Sequence, residues 1–330
     1  MAGNAPVNFN NSRTVHINQP LSRFSVGYHP TGMVAEQIFN VIPVAHESDD
    51  FVVWDKGQAF RVERTDGYGT LRADGSPSLL EDFGATLKNY RAEEFARKTR
   101  VTDRQRANQD DVFQLEVSKV RRVQDKILLD EELRVANILL TTANYPAANV
   151  TTLSGTSQWN NASFASQTSG TFSVIEMNFD AGREAIRLAT GGKEANVAII
   201  PAAVARVMKR DVGVRDSIKY THGDILENGA LPDVLWGLRV ICPAAVYTTS
   251  AEGEVPTMTD VWGKNVIIAY VDPNAGLDSL TLGKIFRARP WQVKQWRDEE
   301  VESTYYEPSL VQAEQLISGD CGYLIQSAIA

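Results

Sequence analysis

Residues 113 to 142 run for some thirty positions without a glycine or a proline, and no other stretch constrains the fold as much. The run reads as one helix, capped by Asp110 or Asp111, stopped before Pro146, and about 45 Å long at about 1.5 Å per residue. At about 100° per residue, Phe113, Val117, Val120, Ile127, Leu128, Val135 and Ile138 share one side, while Leu115, Leu129, Leu133, Ala136 and Leu140 gather nearly opposite. A helix on the outside of a globule shows one apolar stripe and a polar back. Two stripes imply a helix sandwiched between layers of its own chain or between its chain and another subunit. Glu131 interrupts the first stripe, so burial is expected to weaken at that turn.

Ahead of this helix, residues 51 to 90 read as strand, turn, strand. Phe51-Val-Val-Trp54 and Ala59-Phe-Arg-Val62 are the strands, with Gly57, Asp66-Gly67, Gly69 and Asp74-Gly75 as turn signals. Few apolar residues fall between Arg61 and Ser78, so this hairpin has little to bury against its own domain, and contact with a neighbouring chain is the expectation. Residues 91 to 111 carry six basic side chains (Arg91, Arg97, Lys98, Arg100, Arg104, Arg106) against five acidic ones (Glu93, Glu94, Asp103, Asp110, Asp111). That near-balance fits a solvated face, with ion pairing between subunits as the alternative.

Beyond the helix, residues 144 to 171 are small, polar and loop-like. Ser173-Val-Ile-Glu176 then has the form of a capping box opening a helix that ends at Gly191-Gly192. Strands are expected at 197–200, 238–241, 265–271, 282–287 and 322–325, and a short helix after Pro201. Helices and strands mix without regular alternation and no internal repeat is visible, so the class is α+β.

The chain offers little for catalysis. Its four histidines, His16, His29, His46 and His222, have no pair at metal-ligand spacing. Gly192-Lys193, Gly263-Lys264 and Gly283-Lys284 are followed by Glu194, Asn265 and Ile285 where a phosphate-cradling loop needs Ser or Thr. The run Asp298, Glu299, Glu300, Glu302 reads as a wet face before it reads as an acid and base pair. The six tryptophans are scattered, which suits core and interface anchors better than a base-stacking platform. Cys242 and Cys321 lie too far apart in sequence for a zinc knuckle, and both are expected as buried small hydrophobes, with a redox or crosslinking role as the alternative. The longest apolar runs fall well short of the roughly 18 to 20 residues that cross a bilayer. The polar N-terminal stretch lacks the pattern of a secretory signal.

A net charge of −8 argues against a broad grip on nucleic acid. The charge is uneven: Arg13 and Arg23 precede the first acidic residue, Glu36, so residues 1 to 35 carry +2 and the remainder −10. Such an arm is either a mobile polar tail or a strap lying across an acidic neighbouring subunit.

Polar arm, long hairpin, charged connector, long helix, polar loop, mixed α/β region and strand-rich return follow one another in an order that resembles the major capsid proteins of tailed bacteriophages. Residues 117–140 (VSKVRRVQDKILLDEELRVANILL), 197–220 (VAIIPAAVARVMKRDVGVRDSIKY), 235–247 (LWGLRVICPAAVY) and 321–329 (CGYLIQSAI) are similar to one branch of that family. The resemblance implies an α+β fold of the Hong Kong ninety-seven type. Its parts would be an N-terminal arm (1–35), an extended loop (51–90), a peripheral domain (36–50, 91–185 and 285–330) with a spine helix at about 113–142, and an axial domain (186–284). It implies a structural subunit rather than an enzyme, with no cofactor, assembling into pentamers and hexamers around double-stranded DNA held without sequence-specific binding. Implied partners are further copies of the chain, a portal, a scaffolding protein and a decoration protein, with no membrane. The implied location is the virion, after assembly in the bacterial host cytoplasm.

The expected assembly contacts are Arg13, Arg23, Trp54, Lys56, Phe60, Tyr68, Arg97, Lys98 and Arg100. No Lys and Asn pair can be matched to the covalent crosslink that some members form, Lys56 being a loose candidate. Three other readings stay open: an encapsulin-like nanocompartment shell, a tail-tube subunit, and, in a different class, a cytosolic carboxylate-based enzyme.

Overall fold

The structure is a computed structural model that describes residues 16–18, 21–22, 32–54, 60, 72, 74–78, 84–108, 115–161, 173–211, 213–215 and 231–330. In chain order its elements are β1 (His16–Ile17), α1 (Ala35–Ile38), β2 (Asn40–Pro43), β3 (Ser48–Trp54), β4 (Ala85–Arg91), β5 (Glu93–Ala96), β6 (Thr99–Thr102), α2 (Asp103–Ala107) and α3 (Leu115–Leu140). There follow β7 (Val150–Thr152), α4 (Val174–Ala189), β8 (Val197–Ile199), α5 (Ala202–Met208), β9 (Val234–Leu235), β10 (Leu238–Ile241), β11 (Val246–Thr248) and β12 (Met258–Asp260). The chain closes with β13 (Val266–Ala269), β14 (Gly283–Asp298), β15 (Ser303–Leu316) and β16 (Gly322–Gln326).

Two six-stranded sheets organise the chain. The first is built on the antiparallel β14–β15 hairpin, with β1 and β2 pairing β14 and with β5 and β6 pairing β15. The second runs β7-β16-β13-β8-β10-β9. Its central strands Val197–Ile199 and Val266–Ala269 are buried on both sides, which is why they read in sequence as unbroken apolar runs. One face is covered by α4 and α5 through Ile175, Phe179, Ile186, Val204 and Met208; the other takes Val135, Ala136 and Leu139 of α3.

The long helix therefore serves both sheets. Val120 packs with Val293 and Tyr306, and Ile127 and Leu128 with Trp291 and Leu310, all on the β14–β15 hairpin. Two turns later Val135, Ala136 and Leu139 pack in the cluster that holds the second sheet's Val197, Ile199 and Ile267. Of the second expected stripe only Ala136 is fully buried; Leu115, Leu129, Leu133 and Leu140 are half-buried. At Glu131 the expectation fails outright: that residue is 1% exposed and Glu132 is fully buried. Residues 113 and 114 and the expected caps Asp110 and Asp111 lie outside the described residues.

Several boundaries differ from the sequence reading. Phe51–Trp54 pairs with Ala85–Lys88; of the expected partner strand, residues 59–62, only Phe60 is described. The near-balanced charged stretch holds two strands and a short helix, capped where the Thr102 side chain accepts from the Gln105 amide at 3.2 Å. Ser173 caps α4 by accepting from Ile175 at 3.2 Å rather than through a capping box with Glu176. The strand expected at 282–287 continues to Asp298, and its partner at 303–316 was not foreseen. Residues 285–330, taken together in sequence, divide between the sheets: β14 and β15 lie in the first, β16 in the second, which also takes β7 and the cover of α4. Of the two cysteines Cys321 is buried, but Cys242 is exposed, which corrects the expectation that both are core residues.

Candidate functional site

The β3–β4 ribbon stands on the first sheet at its root. Phe51 and Tyr90 flank Phe286, with ring centroids 5.4 and 4.3 Å away, and these three side chains share a small cluster with Val311, Ala313 and Ile317. Along the ribbon the burial stops; Leu87 is 66% exposed. Val52 and Val53 of β3 are half-buried, and Thr86, Lys88 and Asn89 of β4 are exposed.

Of the expected contact residues, Arg13, Arg23, Lys56 and Tyr68 lie outside the described residues, as does the side chain of Trp54, whose backbone ends β3. Phe60 is 59% exposed, and its ring occupies the space a Gly191 side chain would need at the end of α4. Arg97 and Lys98 lie on the two-residue connector between β5 and β6 and Arg100 lies in β6, all three exposed. Arg97 reaches Asp130 of α3 at 3.5 Å, Lys98 sits 5.7 Å from the Tyr305 ring centroid, and the Arg100 carbonyl accepts from Lys119 at 2.7 Å. The Arg97–Asp130 pair is exposed on both sides and contributes at most about 1 kcal/mol.

The acidic run at 298–302 forms the turn of the β14–β15 hairpin. Arg297 anchors it by two bonds to Asp103, 3.1 and 2.8 Å, which hold that exposed carboxyl below the usual range. The run is a surface turn. Among the described residues, no group of three or more His, Cys, Asp or Glu side chains could hold a metal ion, and no helix is long and apolar enough to cross a membrane.

The most constrained polar cluster was missed in sequence. Glu132 Oε2 accepts from the Val34 and Ala35 amides at 2.9 and 2.8 Å, and Oε1 accepts from the Trp262 indole at 2.6 Å. Burial pushes its carboxyl up, and the three donors pull it back. One helical position earlier, Glu131 adjoins a cleft of about 650 Å³ lined also by Gly32, Val34, Glu36, Leu128 and Cys242. Around it Arg287 binds Glu36 at 2.6 Å and Gln312 at 2.8 Å, and Arg134 grips Glu314 at 3.1 and 2.7 Å while lying 3.7 Å from the Phe95 ring centroid. Two adjacent glutamates inside an apolar helical run were the available signal.

Comparison with known proteins bears on the whole chain. The profile of a family described as phage capsid protein matches residues 86–293. The major capsid protein of Burkholderia phage BcepMu is 24% identical over 314 residues, 94% of this chain and 95% of that one. The major capsid protein of Pseudomonas phage JBD67 is 21% identical over 265 residues, covering 78% and 77%. Among solved structures, a phage-related protein from Bordetella bronchiseptica RB50 has a TM-score of 0.69 at 22% identity, covering 94% of this chain and 97% of that one. The mature capsid of bacteriophage PhiM1 follows the fold with a TM-score of 0.57 at 11% identity, covering 91% and 88%.

Proposed function

Because this chain belongs to the phage capsid protein family, we propose that it builds the pentamers and hexamers of a closed icosahedral shell around double-stranded DNA. Its fold is α+β, of the Hong Kong ninety-seven type, and it is a structural major capsid protein and virion component rather than an enzyme. The observation that carries the assembly reading is the β3–β4 ribbon, fixed at its root by Phe51, Tyr90 and Phe286 and exposed beyond it.

In this reading residues 1–35 form an arm and 51–90 an extended loop. The first sheet with the start of α3 is the peripheral domain, and the second sheet is the axial one. That assignment follows the division at 36–50, 91–185, 186–284 and 285–330, except that β7, α4 and β16 go with the second sheet. Arg13, Arg23, Trp54, Lys56, Phe60, Tyr68, Arg97, Lys98 and Arg100 meet neighbouring copies. Assembly proceeds in the host cytoplasm with a portal, a scaffolding protein and a decoration protein. A net charge of −8 lets packaged DNA slide over the inner wall without sequence-specific binding.

Deleting residues 57–77 tests this. The expected product keeps the circular dichroism and unfolding transition of the intact chain but forms no shells. Normal particles from the deletion would refute the role given to the loop.

A further inference from the structure

Glu131 lies where charges do not balance. Three carboxylates, Glu36 on α1, Glu131 on α3 and Glu314 on β15, share the seam between the long helix and the first sheet with two guanidiniums, Arg134 and Arg287. Both guanidiniums are committed, Arg134 to Glu314 and Arg287 to Glu36 and the Gln312 carbonyl. The Gln312 amide, which also faces Glu131, holds Glu314 at 2.8 Å. Glu132, the next residue, spends both oxygens on Val34, Ala35 and Trp262. Among the described residues Glu131, 1% exposed, has no partner in hydrogen-bonding geometry for either oxygen, since the one amide that faces it, that of Gln312, is turned to Glu314. Cys242 is the remaining titratable side chain on the adjoining cleft.

We propose that Glu131 is a proton-operated catch: neutral, it lets the long helix lie flat on β15 and α1, and ionised, it loosens the seating of residues 32–39. A buried carboxylate with no partner is costly, and two routes relieve it. Water can enter from the cleft that Glu131 shares with Gly32, Val34 and Glu36. Alternatively Arg287 can leave Glu36, which removes the side-chain tie between α1 and β14. Either route acts on α1 and its flanks, and so ties the seating of residues 32–39 against the long helix and β14 to pH. Burial, reinforced by Glu36, pushes the Glu131 carboxyl up to about 7, which sets the catch near neutrality. The inference rests on intrachain geometry and stands apart from the shell reading.

Hydrogen exchange at the Val34 and Ala35 amides, the two that Glu132 holds, reports the seating directly. It is measured on the full chain from about pH 5 to about pH 9 and corrected for intrinsic exchange. Protection is expected to fall by about tenfold or more through neutrality in the wild type. In Glu131→Gln it should stay level, and in Glu36→Gln the midpoint should move down, because Arg287 is then released to neutralise Glu131. Level protection in the wild type, or an unchanged pH dependence in Glu131→Gln, overturns the proposal. If Glu131→Gln does not fold, infrared titration of the wild-type carboxyls decides: one carboxyl losing its proton near neutrality supports the catch, and all titrating in the ordinary range overturns it.

Discussion

Replacing Glu132 by Gln should destabilise the chain by about 1–3 kcal/mol, and removing the Trp262 indole should recover part of that loss. The carboxylate accepts three hydrogen bonds, two backbone amides on Oε2 at 2.9 and 2.8 Å and the indole on Oε1 at 2.6 Å. A glutamine of the same shape keeps one acceptor. If its carbonyl takes the paired amides, its NH₂ faces the indole N–H, and a buried donor is left without an acceptor. Trp262→Phe alone costs the indole's packing, since the ring is 2% exposed, plus the desolvation of a freed carboxylate oxygen. In the double variant donor no longer opposes donor, so the combined loss should fall short of the sum of the single losses by about 1–2 kcal/mol. Denaturant unfolding of the unassembled chain measures all four species. Strict additivity would refute the reasoning, because it would mean that Glu132 and Trp262 contribute independently.

Stability should also depend on pH through Glu131. Its carboxyl is raised in the folded chain from 4.5 to about 7, so the stabilising contribution of the neutral form is complete below about 4.5 and is lost as pH rises through about 7. The loss amounts to about 3 kcal/mol, and Glu131→Gln should abolish this part of the pH profile; urea midpoints across that window check it. Gly319→Ala should cost about 3 kcal/mol or more, because the added methyl would run into the Asn144 carbonyl and backbone yields less than a side chain. Gly263→Ala, where Asn265 Nδ2 is 3.6 Å away and φ is +58°, should cost less, about 1 kcal/mol, from backbone strain alone; thermal melts of the two variants make the comparison.

What the sequence revealed follows burial. α3 was legible because a long run without glycine or proline favours one helix, and 197–199 and 266–269 because strands covered on both faces need apolar residues throughout, while 238–241 and 322–326 kept enough apolar residues to read as strands. The β14–β15 hairpin was not. Pro290 sits where its register shifts, between Arg289 and Gln292, and Pro308 lies opposite the break between β5 and β6, so both strands carry the marks of loops. Charged side chains such as Arg287 and Lys294 alternate through it because their partners, Glu36 and Glu94, come from distant strands and helices. Glu131 was legible as an interruption, but its burial was not. Glu132 escaped notice because the groups that satisfy it lie 97 to 130 residues away in sequence, and periodicity carries no information about partners at that range.

Cryo-electron microscopy of the purified full-length chain bears most directly on whether its bare surfaces exist for other copies. Closed particles made of pentamers and hexamers, with the 48–54 and 85–91 ribbon of each subunit resting on its neighbour, are the expected result. Dispersed single chains at high concentration, with that ribbon touching nothing, would contradict it.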